Sequence, residues 1–342
     1  MKQSTQCGQS GEGANVMQIR RRSINRRRAL CCAGLSLVLS VAVVAAAPKS
    51  YPYKITTTVG MVADIVRQVA GDKATVTGIM GAGVDPHLYK PTRDDVAAMM
   101  RSDVIFYSGL MLEGKMADIF IKIARTKPVY AVTELIEEKY LLEPAEMQGH
   151  YDPHVWMDPS AWARAVEYVG RALAEYDPAN ADFYRRNAAD YGKRCEELTE
   201  YGKRVLSTIP EPSRVLISSH DAFNYFGRAF GLKVMGVQGL STESEAGLQR
   251  INELVDYIVD HDVRAVFVES SVSPRNIEAL VQGVQSRGKA LRIGGELYSD
   301  AMGPEGTYEG TYLGMLDHNI TLVARALGGQ APERGLHGSL SK

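Results

Sequence analysis

Two stretches of this chain share one tripeptide. Asp85-Pro86-His87 lies in "GVDPHLYKPT", and Asp152-Pro153-His154 lies in "YDPHVWMD". A third histidine, His220, closes the run "RVLISSH", and Asp300 stands in "GGELYSDAMG" just after the run "ALRIGG". Neutral imidazole is a ligand for zinc and other late first-row ions, and carboxylate suits harder ions such as manganese. Three imidazoles and one carboxylate would fill a four-coordinate site. A proline before each histidine restrains the backbone, so less freedom is lost when the ligand is clamped. Taken singly, each residue has a plainer role: a hydrogen-bonded histidine at a strand end, or a loop aspartate. The repeated Asp-Pro-His is what favours a joint role. Asp85, Asp152, Asp221 and Glu269 are placed to accept the second imidazole proton of a neighbouring histidine and set its tautomer. His150, His261, His318 and His337 lack such context and read as structural or surface residues, with His150 the one nearest the site.

Two chemistries remain open on these residues. A shell of three histidines with an open fourth position would lower the pKa of bound water and serve an exported zinc-dependent hydrolase. A shell closed by Asp300 would hold the ion without activating water. Other catalytic patterns are missing. "GIMGAGVDP" is glycine-rich, but no Lys-Ser/Thr follows it to make a phosphate loop. "SSHD" has no G-x-S-x-G elbow around its serines, and there is no H-E-x-x-H.

The elements that must position these residues follow from periodicity. "KITTTV", "TVTGIM", "DVIFYSG" and "PVYAV" read as strands, with helices "MVADIVRQVAG" and "TRDDVAAMMR" between them. Asp94 and Asp95 suit the positive N-terminal end of the second helix. In "SAWARAVEYVGRALAEY" Trp162, Ala165, Val166, Val169 and Leu173 fall on one helical face. From Asp177-Pro178 to Pro210 a highly charged stretch reads as one helix of about thirty residues and roughly 45 Å, opened by an aspartate cap. It is either a strut between lobes or a surface helix of one domain. A second block repeats the plan, with strands "RVLISSH", "LKVMGV", "RAVFVESS" and "ALRIGG" and helices "EAGLQRINELVDYIVDH" and "SPRNIEALVQGVQSRG". Alternating strands and helices imply parallel sheets. Ligands of such sheets bind beyond the carboxyl ends of the strands, where His87, His154, His220 and Asp300 are expected.

With 342 residues, of which 45% are hydrophobic, the chain can bury two ordinary cores. Its net charge of -1 lacks the basic excess of a nucleic-acid binder. Arg20, Arg21, Arg22, Arg26, Arg27 and Arg28 precede the uncharged run from Ala29 to Ala47. This is the pattern of a secretory leader, 1–47, with cleavage expected near Ala46 and Met17 as an alternative start. The alternative is an uncleaved anchor. Arg26-Arg27 also admits a twin-arginine signal. Cys7, Cys31 and Cys32 fall in the leader, so Cys195 alone remains, and no internal disulfide or cysteine metal cluster is expected. Cys31 and Cys32 stand at the start of the apolar run, whereas a lipid-modified cysteine would stand at its end. The expected location is the periplasm.

With those four residues in view, the chain resembles the TroA-like metal-binding receptors of bacterial zinc and manganese ABC importers. The resemblance rests on "GMVADIV", "GAGVDPHLYKPTRDDV", "YSGLMLEGKM", "DPHVWMDPSAW", "SSHDAFNYFGRAFGL", "VESSVSPRNIEAL" and "GGELYSDAMGPEGTYEGTYLGM", in order from Tyr53 to about Leu327. It implies an α/β fold of two lobes, each a mostly parallel β-sheet flanked by helices, joined by one long α-helix. The lobes would be 51–176 and 213–330, the helix 177–209 and a tail 331–342. Metal would sit in the interlobe cleft on His87 and His154 from the first lobe and His220 and Asp300 from the second. The implied function is capture of Mn2+ or Zn2+, without catalysis, and delivery to a membrane permease with a cytoplasmic ATPase. The receptor is expected to be a monomer. Dedicated zinc scavengers of the family carry a long His/Asp-rich loop before the second histidine, but "EEKYLLEPAEMQGHYDPH" has only His150 there. Manganese-selective relatives often carry Glu where His220 stands. The chain thus lies between the two types.

Overall fold

The computed structural model describes residues 50–144 and 149–341. The expected leader, with its Ala46 cleavage, Met17 start and three cysteines, lies outside the described residues. The β-branched runs of the first block become β1 (Tyr53–Thr57), β2 (Ala74–Gly78), β3 (Val104–Tyr107) and β4 (Val129–Ala131). They form one parallel sheet in the order β2-β1-β3-β4, with Ile55 of β1 opposite Val76 on one side and Val104 on the other. Helix α1 (Gly60–Ala70) buries Met61, Val62, Ile65, Val66 and Val69 at helical spacing. Helix α2 (Arg93–Arg101) starts on a capping box in which Thr92 and Asp95 satisfy each other's backbone N–H groups. Asp95 therefore acts as a cap and not only as a charge at the dipole. It anchors the end of the loop that carries His87. The short helix α3 (Ala117–Ile123), not anticipated from the sequence, leads to β4.

Two helices then form the centre of the molecule. Helix α4 (Pro159–Tyr176) is capped by Asp158, which accepts from the N–H groups of Ser160 at 2.9 Å and Ala161 at 3.3 Å. It buries the expected face of Trp162, Ala165, Val166, Val169 and Leu173. Helix α5 (Ala181–Leu206) has 26 residues, about 39 Å, shorter than the sequence suggested. Residues Pro178–Asn180 form a 3-10 turn instead. Asp177 makes no cap; its carboxylate accepts from Tyr51, Tyr184 and Asn180. Nor is α5 a bare strut. Tyr184, Ala188, Tyr191, Cys195, Leu198, Tyr201 and Val205 are buried, and the helix packs on α1 and α4. The tyrosines supply apolar area while their hydroxyls find partners, Asp64 for Tyr191 and Thr321 for Tyr201. Cys195 is buried and free, and burial pushes its thiol up to about 12.

The second block holds β5 (Val215–Ser218), α6 (Asn224–Phe230), β6 (Lys233–Gly236), α7 (Leu248–His261), β7 (Ala265–Glu269), α8 (Arg275–Ser286), β8 (Arg292–Leu297) and α9 (Tyr312–Ala326). The strands pair in parallel as β5-β6 and β7-β8. β5 runs beside β7 without a shared ladder, so the second block is two ribbons rather than one sheet. Helices α6 and α9 were not foreseen. One apolar core runs from β1 and α1 through α4 and α5 to α6 and α9, and a smaller one lies among β5, β7, α7 and α8. Among the described residues no helix is long and apolar enough to cross a membrane.

The α4–α5 contact depends on Gly170. A Cβ there would lie 2.7 Å from Cβ of Ala188 and 3.4 Å from the carbonyl of Tyr184. Gly170→Leu should therefore overpack this contact and cost about 1–3 kcal/mol in urea unfolding. An unchanged midpoint would mean that the two helices can separate freely.

Candidate metal centre

The two Asp-Pro-His motifs fold alike. Asp85 Oδ1 accepts from the backbone N–H of His87 at 2.8 Å, and Asp152 Oδ1 accepts from that of His154 at 2.9 Å. Proline has no N–H, so the first donor each carboxylate meets is the histidine's own. Asp152 Oδ1 also accepts from Nδ1 of His154 at 2.8 Å. His220, two residues beyond β5, receives the same double hold from a distance. Glu269, at the end of β7, accepts its backbone N–H at 2.9 Å and its Nδ1 at 2.5 Å. With Nδ1 donating, Nε2 of His154 and of His220 is the free nitrogen.

Asp85 and Asp221 depart from the expectation. The second oxygen of Asp85 accepts the hydroxyl of Thr242 at 2.5 Å and no imidazole. Asp221 bonds to no histidine ring either, and its Oδ1 is buried without a hydrogen-bond partner. Side chain follows backbone here: Asp152 curls onto its own ring, whereas Asp85 is drawn away by Thr242.

His87, His154, His220 and Asp300 meet with one ligand atom each inside 4.8 Å of the others. Nε2 of His154 is 3.3 Å from Nε2 of His87 and 3.4 Å from Nε2 of His220. A tetrahedral zinc ion with bonds of 2.0–2.1 Å to nitrogen has ligand–ligand edges of about 3.3–3.4 Å. Asp300 lies 3.2 Å from His220, 3.5 Å from His154 and 3.8 Å from His87. These contacts are close enough for attraction, yet neither oxygen of Asp300 has a hydrogen-bond partner. Asp300 is 1% exposed and His87, the most open of the four, 8%. A buried carboxylate with no hydrogen bond is expensive unless a cation satisfies it. The donor set and its spacing fit a divalent first-row ion.

The charges respond to this crowding. Burial holds His87 down at about 4, so it is neutral throughout the physiological range. Burial also opposes charge on His220, but the carboxylates of Glu269 and Asp300 outweigh it and hold its pKa well above the usual value. Asp300, despite burial, is kept below the usual carboxylate range by His220 and the other two imidazoles. The carboxylates on either side of His220 thus favour its protonated form.

Sequence reasoning missed the residues that brace the His154 loop. Asn224 donates to Asp152 Oδ2 at 3.1 Å, and the hydroxyl of Tyr225 donates to the Asp152 carbonyl at 2.9 Å. The indole of Trp156 donates to the Ser299 carbonyl at 2.9 Å. No local pattern marks such long-range bonds. The remaining histidines stay apart from the four. His150 is exposed at the mouth of the cleft beside His87. His261 stacks on Tyr257, His318 bonds the Glu296 carbonyl, and His337 lies 3.6 Å from Glu197.

An entering cation competes with the proton that these carboxylates favour on His220. Zinc binding at pH 7 should release about one proton, seen as a binding enthalpy that varies with the ionisation heat of the buffer. Affinity should begin to fall above pH 6.5 as pH is lowered, earlier than the window of pH 6 to 5 that ordinary histidines would give. Glu269→Gln should reduce the proton release. A buffer-independent enthalpy would show that His220 is already neutral.

Known proteins share this architecture. The family model described as "Zinc-uptake complex component A periplasmic" (ZnuA) matches residues 55–326. The manganese-binding lipoprotein MntA of Bacillus subtilis is 45% identical over 274 residues, covering 80% of this chain and 89% of the relative. The solved structure of the periplasmic zinc-binding protein TroA from Treponema pallidum superimposes with a TM-score of 0.78 at 42% identity, over 80% of this chain and 99% of that one. Fe(III)-bound YtgA from Chlamydia trachomatis follows with a TM-score of 0.74 at 27% identity, over 82% of this chain and all of that one. The match to the family model, together with the two relatives above 40% identity, places this chain in the ZnuA family of metal-binding receptors.

Proposed function

We propose that the protein captures Zn2+ or Mn2+ on His87, His154, His220 and Asp300 and delivers it to the permease of an ABC importer. The observation that carries this reading is the buried carboxylate of Asp300, whose oxygens find no hydrogen-bond partner, facing three imidazoles of which that of His154 lies at tetrahedral edge lengths from the other two. The names of its relatives, one manganese-binding and one zinc-binding, support the same two ions. Four protein ligands leave no open position for an activated water, which argues against a hydrolase and for a receptor without catalysis. We assign the lobes to 51–176 and 213–330 with 177–209 between them, the working form to a monomer, and the location to the periplasm.

The ligands can be removed without touching either core. His87→Ala, His154→Ala, His220→Ala and Asp300→Ala should each leave one-to-one metal binding weak or absent. Metal-free melting temperatures should fall little for His87→Ala and more for His220→Ala, which leaves two buried carboxylates without their partner, while the rise on adding metal should shrink or vanish in all four. At a free ion concentration a hundred times Kd that rise reflects about 2.7 kcal/mol. His261→Ala should behave as wild type. A full metal-induced rise in His220→Ala would remove that residue from the site.

Both ions should raise the melting temperature, and zinc should displace manganese, because nitrogen-oxygen sites bind Mn2+ most weakly among the first-row ions. Neither loaded form should hydrolyse esters or phosphates. Zinc-dependent turnover that disappears in His154→Ala would replace the receptor reading with the hydrolase.

A further inference from the structure

The four candidate ligands are not held equally. His154 belongs to a loop fastened to the second half by Asn224, Tyr225 and the Trp156–Ser299 bond. His220 is gripped twice by Glu269. Asp300 follows Ser299, whose hydroxyl pairs with that of Ser271 at 2.9 Å. The segments that carry these three ligands form one hydrogen-bonded block. His87 stands outside it. Among the described residues no carboxylate bonds its Nδ1, and it lines a cleft of about 360 Å³ with Leu110, Lys115, His150 and Glu243.

Among the described residues a half-buried hydrogen bond joins the His87 loop to the other half. Thr242, between β6 and α7, donates its hydroxyl to Asp85 Oδ2 at 2.5 Å, while Asp85 Oδ1 holds the His87 backbone N–H. Nearby, Lys115 meets Glu243 across the same cleft at 2.8 Å. The two links differ in weight. Thr242 is 8% exposed, and a hydrogen bond to a carboxylate is stronger than one between neutral groups. The Lys115–Glu243 pair has side chains 33% and 53% exposed, where ion pairs contribute little.

We propose that Thr242 is a positioning residue for metal capture: by clasping Asp85 across the cleft it seats His87 as the last ligand to engage and the first to leave. This rests on the receptor reading above. Thr242 touches no metal ligand directly. It acts through the carboxylate that fixes the His87 backbone, so releasing the clasp frees both the loop and the ligand. The block of His154, His220 and Asp300 then keeps the ion only through three contacts, and the mouth beside His87 is the exit.

The test is the rate of zinc release from the loaded full chain on mixing with excess chelator. Thr242→Val should release zinc about tenfold faster, the loss of one bond to an ionised acceptor. Thr242→Ser should restore the wild-type rate. Asp85→Asn, which keeps the shape and weakens both bonds, should also be fast and serves if the valine variant does not fold. Lys115→Met should change the rate by less than about threefold and remove part of its salt dependence. Thr242→Ser and Lys115→Met should leave the metal-free melting temperature near the wild-type value, whereas Thr242→Val and Asp85→Asn, which lose a bond present without metal, should lower it modestly; the release rate and its recovery in Thr242→Ser separate the clasp from a merely structural role. Zinc release from both Thr242→Val and Asp85→Asn within about twofold of wild type would overturn the clasp. So would a fast valine variant that serine fails to restore. A wild-type chain that binds no zinc at all would instead overturn the receptor reading.

Discussion

A carboxylate buried to 1% exposure with no hydrogen bond is the constraint around which this molecule is organised. Asp300 cannot be charged there without compensation, and the ring of His220, 3.2 Å away, is the nearest group that can supply it. Glu269, about halfway along the second block, holds the other nitrogen of that ring. A divalent ion on these four residues would answer the same electrostatic demand, and imidazoles already held by their own hydrogen bonds lower the ordering cost of capture.

The scaffold limits how the site can open. Helix α5 is not a free strut, because its buried tyrosines join α1, α4 and α9 in one apolar core that spans both halves. A large rotation between the halves would tear this core. Smaller rearrangements at loops remain, and the loops around the mouth show the signs. Leu110 and Met111 both adopt positive φ, at 52° and 65°, a conformation that costs side-chain-bearing residues energy. They hold it because Glu113, buried beneath them, accepts from the N–H groups of Ser108 and Gly109 and from the hydroxyl of Thr58. Met111 is 65% exposed, so packing is not the reason for the strain. The same turn carries Lys115 to the cleft.

Much of this was legible in the sequence because the signals are local. Short apolar runs rich in β-branched residues located the eight strands found among the described residues, period-3.6 patterns located the long amphipathic helices, and the doubled Asp-Pro-His marked two of the four converging residues. The errors have physical causes. Helix α5 is highly charged in sequence, and its buried face rests largely on tyrosines, Tyr184, Tyr191 and Tyr201, whose polar hydroxyls mask the apolar area they contribute. Asp177 looked like a cap, but three side-chain donors compete for its carboxylate. Helices α3 and α6 are seven residues each, too short for periodicity to show, and α9 is apolar on nearly every face, which blurs the pattern. Asp85 and Asp152 are identical in sequence context but differ in partner. One bonds Thr242, 157 residues away, and the other bonds its own histidine ring. No local pattern separates them.

The same geometry bears on which ion the site prefers. The two histidine edges of 3.3 Å and 3.4 Å match a small tetrahedral ion bound through nitrogen. The edges to Asp300 spread from 3.2 Å to 3.8 Å, and both of its oxygens face the site. A carboxylate so placed can offer one oxygen or two. That lets a harder ion draw a fifth contact from the same four residues without moving the imidazoles. Zinc is favoured by nitrogen count and by the first-row affinity order, manganese by the second oxygen and by its supply. The imidazoles set the affinity, and the reach of Asp300 sets how far the site tolerates a larger, harder ion.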